Sequence, residues 1–206
     1  IPDNNQIAAF VLHETTRLAD LVDSLLTLAR EDEGRFDRHR ERVALARLAH
    51  EVFENATILG EAAGLTVTMP EIADVVVLAD RTRLRQLFLN IVTNALKYTT
   101  SGSVALSLVA HDRTVAFTVR DTGMGISAAD LPHIFERFYR ADRARSRSAE
   151  RGGFGLGLAI SQWIAEAHGG TISVRSRLGR GTTFTVTLPV AEDSVAAPQP
   201  EEISAD

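Results

Sequence analysis

The stretch Asn90-Ile91-Val92-Thr93-Asn94-Ala95-Leu96-Lys97-Tyr98 sets two carboxamides four residues apart, with a lysine and a tyrosine one turn later. On a helix that spacing puts both amides on one face, while Leu87, Phe88, Ile91, Val92 and Leu96 make most of the remaining surface apolar. A carboxamide oxygen is a hard ligand suited to Mg2+, which keeps several waters and takes few protein oxygens. The same pair also suits a solvated helix face. Lys97 weighs against that plainer reading, because it is the one lysine among 22 basic residues. A flexible ammonium meets phosphate as a point charge, whereas arginine presents a planar fork.

Three further blocks follow in order. Asp121-Thr122-Gly123-Met124-Gly125-Ile126 comes directly after a predicted strand. A carboxylate there can accept a hydrogen bond from an exocyclic amino group such as that of adenine, and the two glycines permit unusual φ values and close backbone approach to a flat ring. An ordinary Asp-x-Gly turn fits the residues as well. Gly153-Phe154-Gly155-Leu156-Gly157-Leu158 runs into a helix, and a glycine-rich turn at a helix N-terminus favours an anion. It is not a dinucleotide fingerprint, since no strand immediately precedes it, and no P-loop pattern occurs in the chain. Gly179-Arg180-Gly181-Thr182-Thr183-Phe184 is the last block. Between the second and third, Phe135-Glu136-Arg137-Phe138-Tyr139 leads into Arg140, Arg143, Arg145, Arg147 and Arg151 among small polar residues. That composition suits a mobile segment folding over a triphosphate as a lid, and equally a solvated charged loop.

Around these blocks the pattern of elements is mixed. Residues 6–32 read as a helix whose stripe is Val11, Leu18, Leu21, Leu25 and Leu28, widened by Ile7, Val22 and Ala29. Gly34 is a plausible stop, and a polar stretch from Glu31 to Arg42 follows. Leu45, Leu48, Val52, Ala56 and Leu59 mark a second amphipathic helix ending near Gly60 to Gly64. Leu65 to Met69 and Val75 to Leu78 read as strands around Pro70. Asp80 is a good N-cap for a helix to about Tyr98. Ser103 to Ala110 and Thr114 to Arg120 form a predicted hairpin, Leu156 to His168 a helix, and Thr171 to Arg177 with Thr182 to Val190 a closing pair. The expectation is an α+β, two-layer sandwich preceded by a long amphipathic helix. Its divisions fall at 1–34, a linker at 35–42, a main domain at 43–190 and an acidic tail at 191–206 that reads as disordered.

Composition narrows the classes. At 206 residues the chain can bury one sizeable core. It contains no cysteine, which removes disulfides and thiolate metal sites. The net charge of −5 comes from the tail, where Glu192, Asp193, Glu201, Glu202 and Asp206 stand without a base. A charge-balanced body argues against a general nucleic-acid surface. No apolar run approaches the roughly 18 to 20 residues of a membrane helix. With no initiating methionine, the chain is expected to be a fragment of a longer protein.

Taken together, the blocks resemble the N, first glycine, F, second glycine and third glycine boxes of the sensor histidine kinase catalytic domain, within the ATPase superfamily that includes gyrase, Hsp90 and MutL. The resemblance covers about Val43 to Val190 and implies a Bergerat-type ATP-binding fold with ATP and Mg2+ as cofactors. By position it makes Asn94 the Mg2+ ligand, with Asn90 beside it near the phosphates. It assigns Lys97 and Tyr98 to phosphate and nucleoside, Asp121 to the adenine amino group, Gly123 and Gly125 to the base pocket, and Gly153, Gly155 and Gly157 to the phosphates, with Leu158 closing that block. Asn90 and Lys97 are the residues nearest the chemistry. Hydrolytic branches carry a glutamate where this chain has Asn90, and an asparagine cannot accept the proton of an attacking water.

The first helix resembles the second helix of the family's dimerisation and phosphotransfer domain. The His-Glu-x-x-Thr-Pro-type acceptor is absent, since His13-Glu14-Thr15-Thr16 lacks the proline and continues the second-helix pattern. The implied activity is transfer of the ATP γ-phosphoryl to a histidine on a phosphoacceptor domain, then relay to a response regulator. The intact protein is expected to be a membrane-anchored homodimer with this part in the cytoplasm. A nucleotide-binding module without transfer activity and an anti-sigma-type serine kinase are the alternatives.

Overall fold

A computed structural model describes residues 40–141 and 154–191, together with Val11, Leu12, Thr15, Leu18, Ala19, Val22 and Leu26. These last seven are helical and exposed. The remainder of the expected first helix, His13 included, and the acidic tail beyond Ala191 lie outside the described residues.

The elements follow in chain order as β1 (Glu41–Ala44), α1 (Leu45–Ala62), β2 (Thr66–Ile72), β3 (Val76–Ala79), α2 (Arg81–Tyr98), β4 (Ser103–His111), β5 (Thr114–Asp121), a short 3-10 turn (Leu131–His133), α3 (Gly157–Ala167), β6 (Thr171–Arg177) and β7 (Gly181–Pro189). Five strands form one sheet in the order β2-β4-β5-β7-β6. Only the β2–β4 pair is parallel. Alternation along the strands turns Val104, Leu106, Leu108, Val115, Phe117, Val119, Phe184, Val186 and Leu188 inward, where all are buried. The three helices cover that face. On α2 the buried positions are Leu84, Leu87, Phe88, Ile91, Val92 and Ala95, a stripe at 3.6-residue spacing. Phe88 stacks on Phe117 with ring centroids 3.9 Å apart. Because the stripe takes those positions, Asn90 and Asn94 fall half-buried on its flank, and Lys97 and Tyr98 are exposed.

The helix ends show how local sequence sets the boundaries. Asp80 caps α2, its carboxylate accepting from the Arg83 N–H at 3.0 Å. α1 continues through Gly60, which the sequence marked as the start of its end. Gly60 is needed inside the helix, because a Cβ there would lie 2.4 Å from the Val67 side chain of β2. The stop is Gly64 at φ 71°, with the Leu65 N–H donating back to the Gly60 carbonyl at 2.8 Å, a left-handed C-terminal closure. Pro70 sits at an irregularity of β2, where the pairing with β4 shifts between Thr68 and Glu71. An edge strand tolerates a proline there.

Strand β1 was not expected. Glu41 and Arg42 read as the end of a polar linker, yet Glu41 to Ala44 pair antiparallel with Ala79 to Val76 in a separate two-stranded ribbon. Only Val43 of the four is buried, so nothing periodic announces the strand; its hydrogen bonds come from a distant segment. The ribbon leads to a junction where α3 ends beside the start of α2. Arg40 donates to the Ala167 carbonyl at 2.6 Å. Buried His168 accepts the Asp80 N–H on Nε2 at 3.0 Å, and its Nδ1 lies 2.7 Å from the Ile164 carbonyl. That pairing requires a neutral ring, and burial accordingly pushes the His168 pKa down.

Candidate functional site

Two clusters adjoin α2, one at its C-terminal end and one near its middle. The first is built around Asp121, the last residue of β5, whose side chain is carried inward and is 5% exposed. One carboxylate oxygen, Oδ1, accepts from the Gly123 N–H at 2.8 Å and from the Thr182 N–H at 3.1 Å. No described residue bonds to Oδ2, and it is not sealed from solvent. Burial raises the Asp121 pKa as the largest effect, and the Gly123 and Thr182 amides draw it back down. The result is a carboxylate fixed by one oxygen with the other free to accept from a ligand.

The loop after Asp121 is tied to its surroundings by backbone. The Met124 N–H donates to the Tyr98 carbonyl at 3.1 Å, the Gly179 N–H to the Met124 carbonyl at 2.7 Å, and the Ile126 N–H to Ser176 Oγ at 2.8 Å. Gly123 is required because a Cβ would stand 2.3 Å from the Tyr98 carbonyl oxygen. At Gly125, φ is 69° and a Cβ would stand 2.2 Å from the Arg177 carbonyl. The fold itself therefore demands both glycines of the block. Thr182 and Ser176, whose hydroxyls lie 2.9 Å apart, are site residues that sequence reasoning did not single out, although Thr182 belongs to the fourth block.

The second cluster lies toward the middle of α2. Asn90 Nδ2 donates to the Gly157 carbonyl at 3.3 Å and to Ser161 Oγ at 3.5 Å, which joins α2 to the first turn of α3. Gly157 has open space around it, the nearest atoms to a Cβ being those of the Asn90 amide at 3.9 Å. Asn94 stands one turn further along. Lys97 Nζ rests 4.9 Å from the Tyr98 ring centroid. Asn90 and Tyr98 are eight positions apart, or roughly 12 Å along the axis, a span on the scale of a nucleoside phosphate. Leu158 packs against the core.

The F block anchors the chain between the clusters. Phe135 meets Phe184 edge-on at 6.5 Å, and the Tyr139 hydroxyl donates to Asp130 at 2.7 Å. The Phe138 N–H donates to the Gly155 carbonyl at 2.9 Å. Gly155, at φ 76°, could not carry a Cβ, which would fall 2.7 Å from the Tyr139 carbonyl. The segment 142–153, with the arginines of the expected lid from Arg143 onward and Gly153 of the phosphate-binding expectation, lies outside the described residues.

Among the described residues no group of three or more His, Asp or Glu side chains could hold a metal ion. A shallow groove lined by Arg120, Arg175, Arg177 and Arg180 also takes in Asp121, Ser176 and Thr182, so a row of arginines borders the first cluster.

Comparisons with known proteins agree with this fold. The family described as histidine kinase-, DNA gyrase B-, and HSP90-like ATPase matches residues 79–192. The sensor histidine kinase RppB of Synechocystis is 36% identical over 191 residues, covering 92% of this chain and 42% of that protein. The sensor protein SrrB of Staphylococcus aureus is 36% identical over 185 residues, covering 89% of this chain and 31% of that protein. Among solved structures, full-length ShkA in complex with AMPPNP matches with a TM-score of 0.79 and 31% identity, over 96% of this chain and 41% of that one. The chain thus spans less than half the length of these relatives.

Proposed function

This chain belongs to the family of histidine kinase-, DNA gyrase B- and HSP90-like ATPases, and on that premise we propose that it is the ATP-binding catalytic domain of a sensor histidine kinase. The observation that carries the reading is Asp121. Its Oδ1 is held by two backbone amides and its Oδ2 is left open, as a carboxylate that accepts the adenine amino group needs to be. The likeness to RppB and SrrB over most of the chain supports a sensor kinase over other branches of the family.

In this reading Asp121 selects adenine, with Gly123 and Gly125 shaping the loop that supports it. Tyr98 flanks the nucleoside. Lys97 leaves its resting place on the Tyr98 ring to meet phosphate. Gly153, Gly155 and Gly157 hold the phosphates at the N-terminus of α3, where free N–H groups and the helix dipole favour an anion. The amide oxygens of Asn94 and Asn90 fit Mg2+, because they are neutral, hard and few, leaving waters and phosphates to complete the shell. Such an ion would neutralise charge on the phosphates, and Asn94 would be its protein ligand. Asn90 cannot act as a base, so the site holds ATP for another nucleophile and hydrolyses it slowly.

That nucleophile is a histidine on a separate helical domain, and a response regulator receives the phosphoryl group from it. The intact protein is a homodimer that pairs through the helix expected from the sequence over residues 6–32, with this part in the cytoplasm. No helix among the described residues is long and apolar enough to cross a membrane.

Incubation with γ-labelled ATP tests the reading. The chain alone should acquire no label, because positioned electrostatics cannot replace an absent nucleophile. Addition of a helical domain bearing the His-Glu-x-x-Thr-Pro-type acceptor should yield acid-labile, base-stable label on that domain. Binding of ATP with no transfer to any such acceptor would favour a nucleotide module without transfer activity. Label on His13 of the chain alone would overturn the reading of the first helix.

A further inference from the structure

Asn90 is useful to a phosphate-bound cation only if its oxygen is turned away from α3, and an amide has two orientations of almost equal shape. The neighbours of Asn90 decide between them. Ser161, fully buried on α3, donates its hydroxyl proton to the Gly157 carbonyl at 2.8 Å. Its remaining capacity toward Asn90 is as an acceptor. The Gly157 carbonyl is an acceptor as well. Both groups within reach of the inward end of the Asn90 amide therefore call for a donor, and Nδ2 supplies it at 3.3 and 3.5 Å. The opposite orientation would set Oδ1 against two oxygens, one of them lacking any proton. Oδ1 is consequently directed away from α3. No described residue bonds to it, and it is not sealed from solvent.

We propose that Ser161 is a positioning residue: by spending its proton on the Gly157 carbonyl it fixes the Asn90 amide with Oδ1 turned away from α3 and available to a Mg2+ that Asn94 and the nucleotide phosphates would hold. The proposal rests on the nucleotide and Mg2+ reading above. It assigns no contact with substrate to Ser161 itself. Its effect should therefore be confined to the metal-dependent part of nucleotide affinity.

The test is calorimetric titration with ADP in the presence and absence of Mg2+. For the unaltered chain, Mg2+ should tighten ADP binding. Ser161→Ala should bind ADP without metal as the unaltered chain does, which also reports an intact fold, and should lose about three- to tenfold of the tightening by Mg2+, the range expected for one hydrogen bond. Ser161→Thr, which keeps the hydroxyl, should restore it. In an Asn90→Ala background, Ser161→Ala should cause no further loss, since the two residues act as a unit. Additive losses in the double variant would overturn the proposal. So would a Ser161→Ala protein whose tightening by Mg2+ is undiminished, or one that loses metal-free and metal-bound affinity alike. An unaltered chain that binds ADP equally with and without Mg2+ would instead strike the Mg2+ reading, and this proposal with it.

Discussion

The two clusters that adjoin α2 are built on opposite plans. Around Asp121 the backbone leaves no spare room: at Gly123 and Gly125 a single added carbon would collide with a carbonyl oxygen at 2.3 and 2.2 Å. Around Asn90 the nearest atoms to an added carbon on Gly157 stand at 3.9 Å, ordinary contact distance. Glycine is therefore required by the fold at Gly123 and Gly125 and merely permitted by it at Gly157, although Gly155, just before α3, is required through the Tyr139 carbonyl. On the proposed reading, a rigid base-recognition element and an open phosphate bay share one helix, and each borrows its rigidity from a different neighbour. For Asp121 that neighbour is β7, through Thr182; for Asn90 it is α3, through Gly157 and Ser161.

The contrast is most easily broken at Gly125. Its φ of 69° and the 2.2 Å approach to Arg177 combine, so Gly125→Ala should cost about 3 kcal/mol of stability. The urea midpoint measures this, and an unchanged midpoint would mean that the loop is not fixed by backbone packing. Next in size is Asp121→Asn. It removes a charged acceptor at Oδ2 while an amide oxygen could still serve Gly123 and Thr182, so folding should survive. ADP and ATP should both weaken by roughly ten- to a hundredfold; calorimetry showing unchanged ADP affinity would remove Asp121 from the base pocket. Smallest is Gly157→Ala. Alanine is the better helix former, so stability should hold or rise by about 0.5 kcal/mol, while ATP affinity falls severalfold. A clear loss of stability there would place Gly157 with the glycines the fold requires and end the contrast.

Much of this was legible in the sequence, and the exceptions share a cause. The helix through Asn90 and Asn94 could be read because its apolar stripe repeats every 3.6 residues and Asp80 caps it. The β4–β5 hairpin and the β6–β7 pair could be read from alternation and from the turns between them. β1 could not, since its one buried side chain, Val43, carries no period and its partner β3 is remote in sequence. The same holds for Thr182, whose N–H reaches Asp121 from another strand, and for Ser161, whose significance appears only once α2 and α3 lie side by side. Gly123 and Gly125 could be picked out as glycines with a purpose. That the purpose includes a close approach to the Tyr98 and Arg177 carbonyls is a tertiary fact, invisible in a turn motif.

The hydrogen bond from the Phe138 N–H to the Gly155 carbonyl has a consequence for how the glycine block is held. It seats Gly155 against a point already secured by Phe135 on Phe184 and by Tyr139 on Asp130. A Cβ on Gly155 would fall 2.7 Å from the Tyr139 carbonyl, so turn and F block fit each other through backbone alone. The entrance to α3 is thus clamped from β7, through Phe184, as well as from α2, through Asn90.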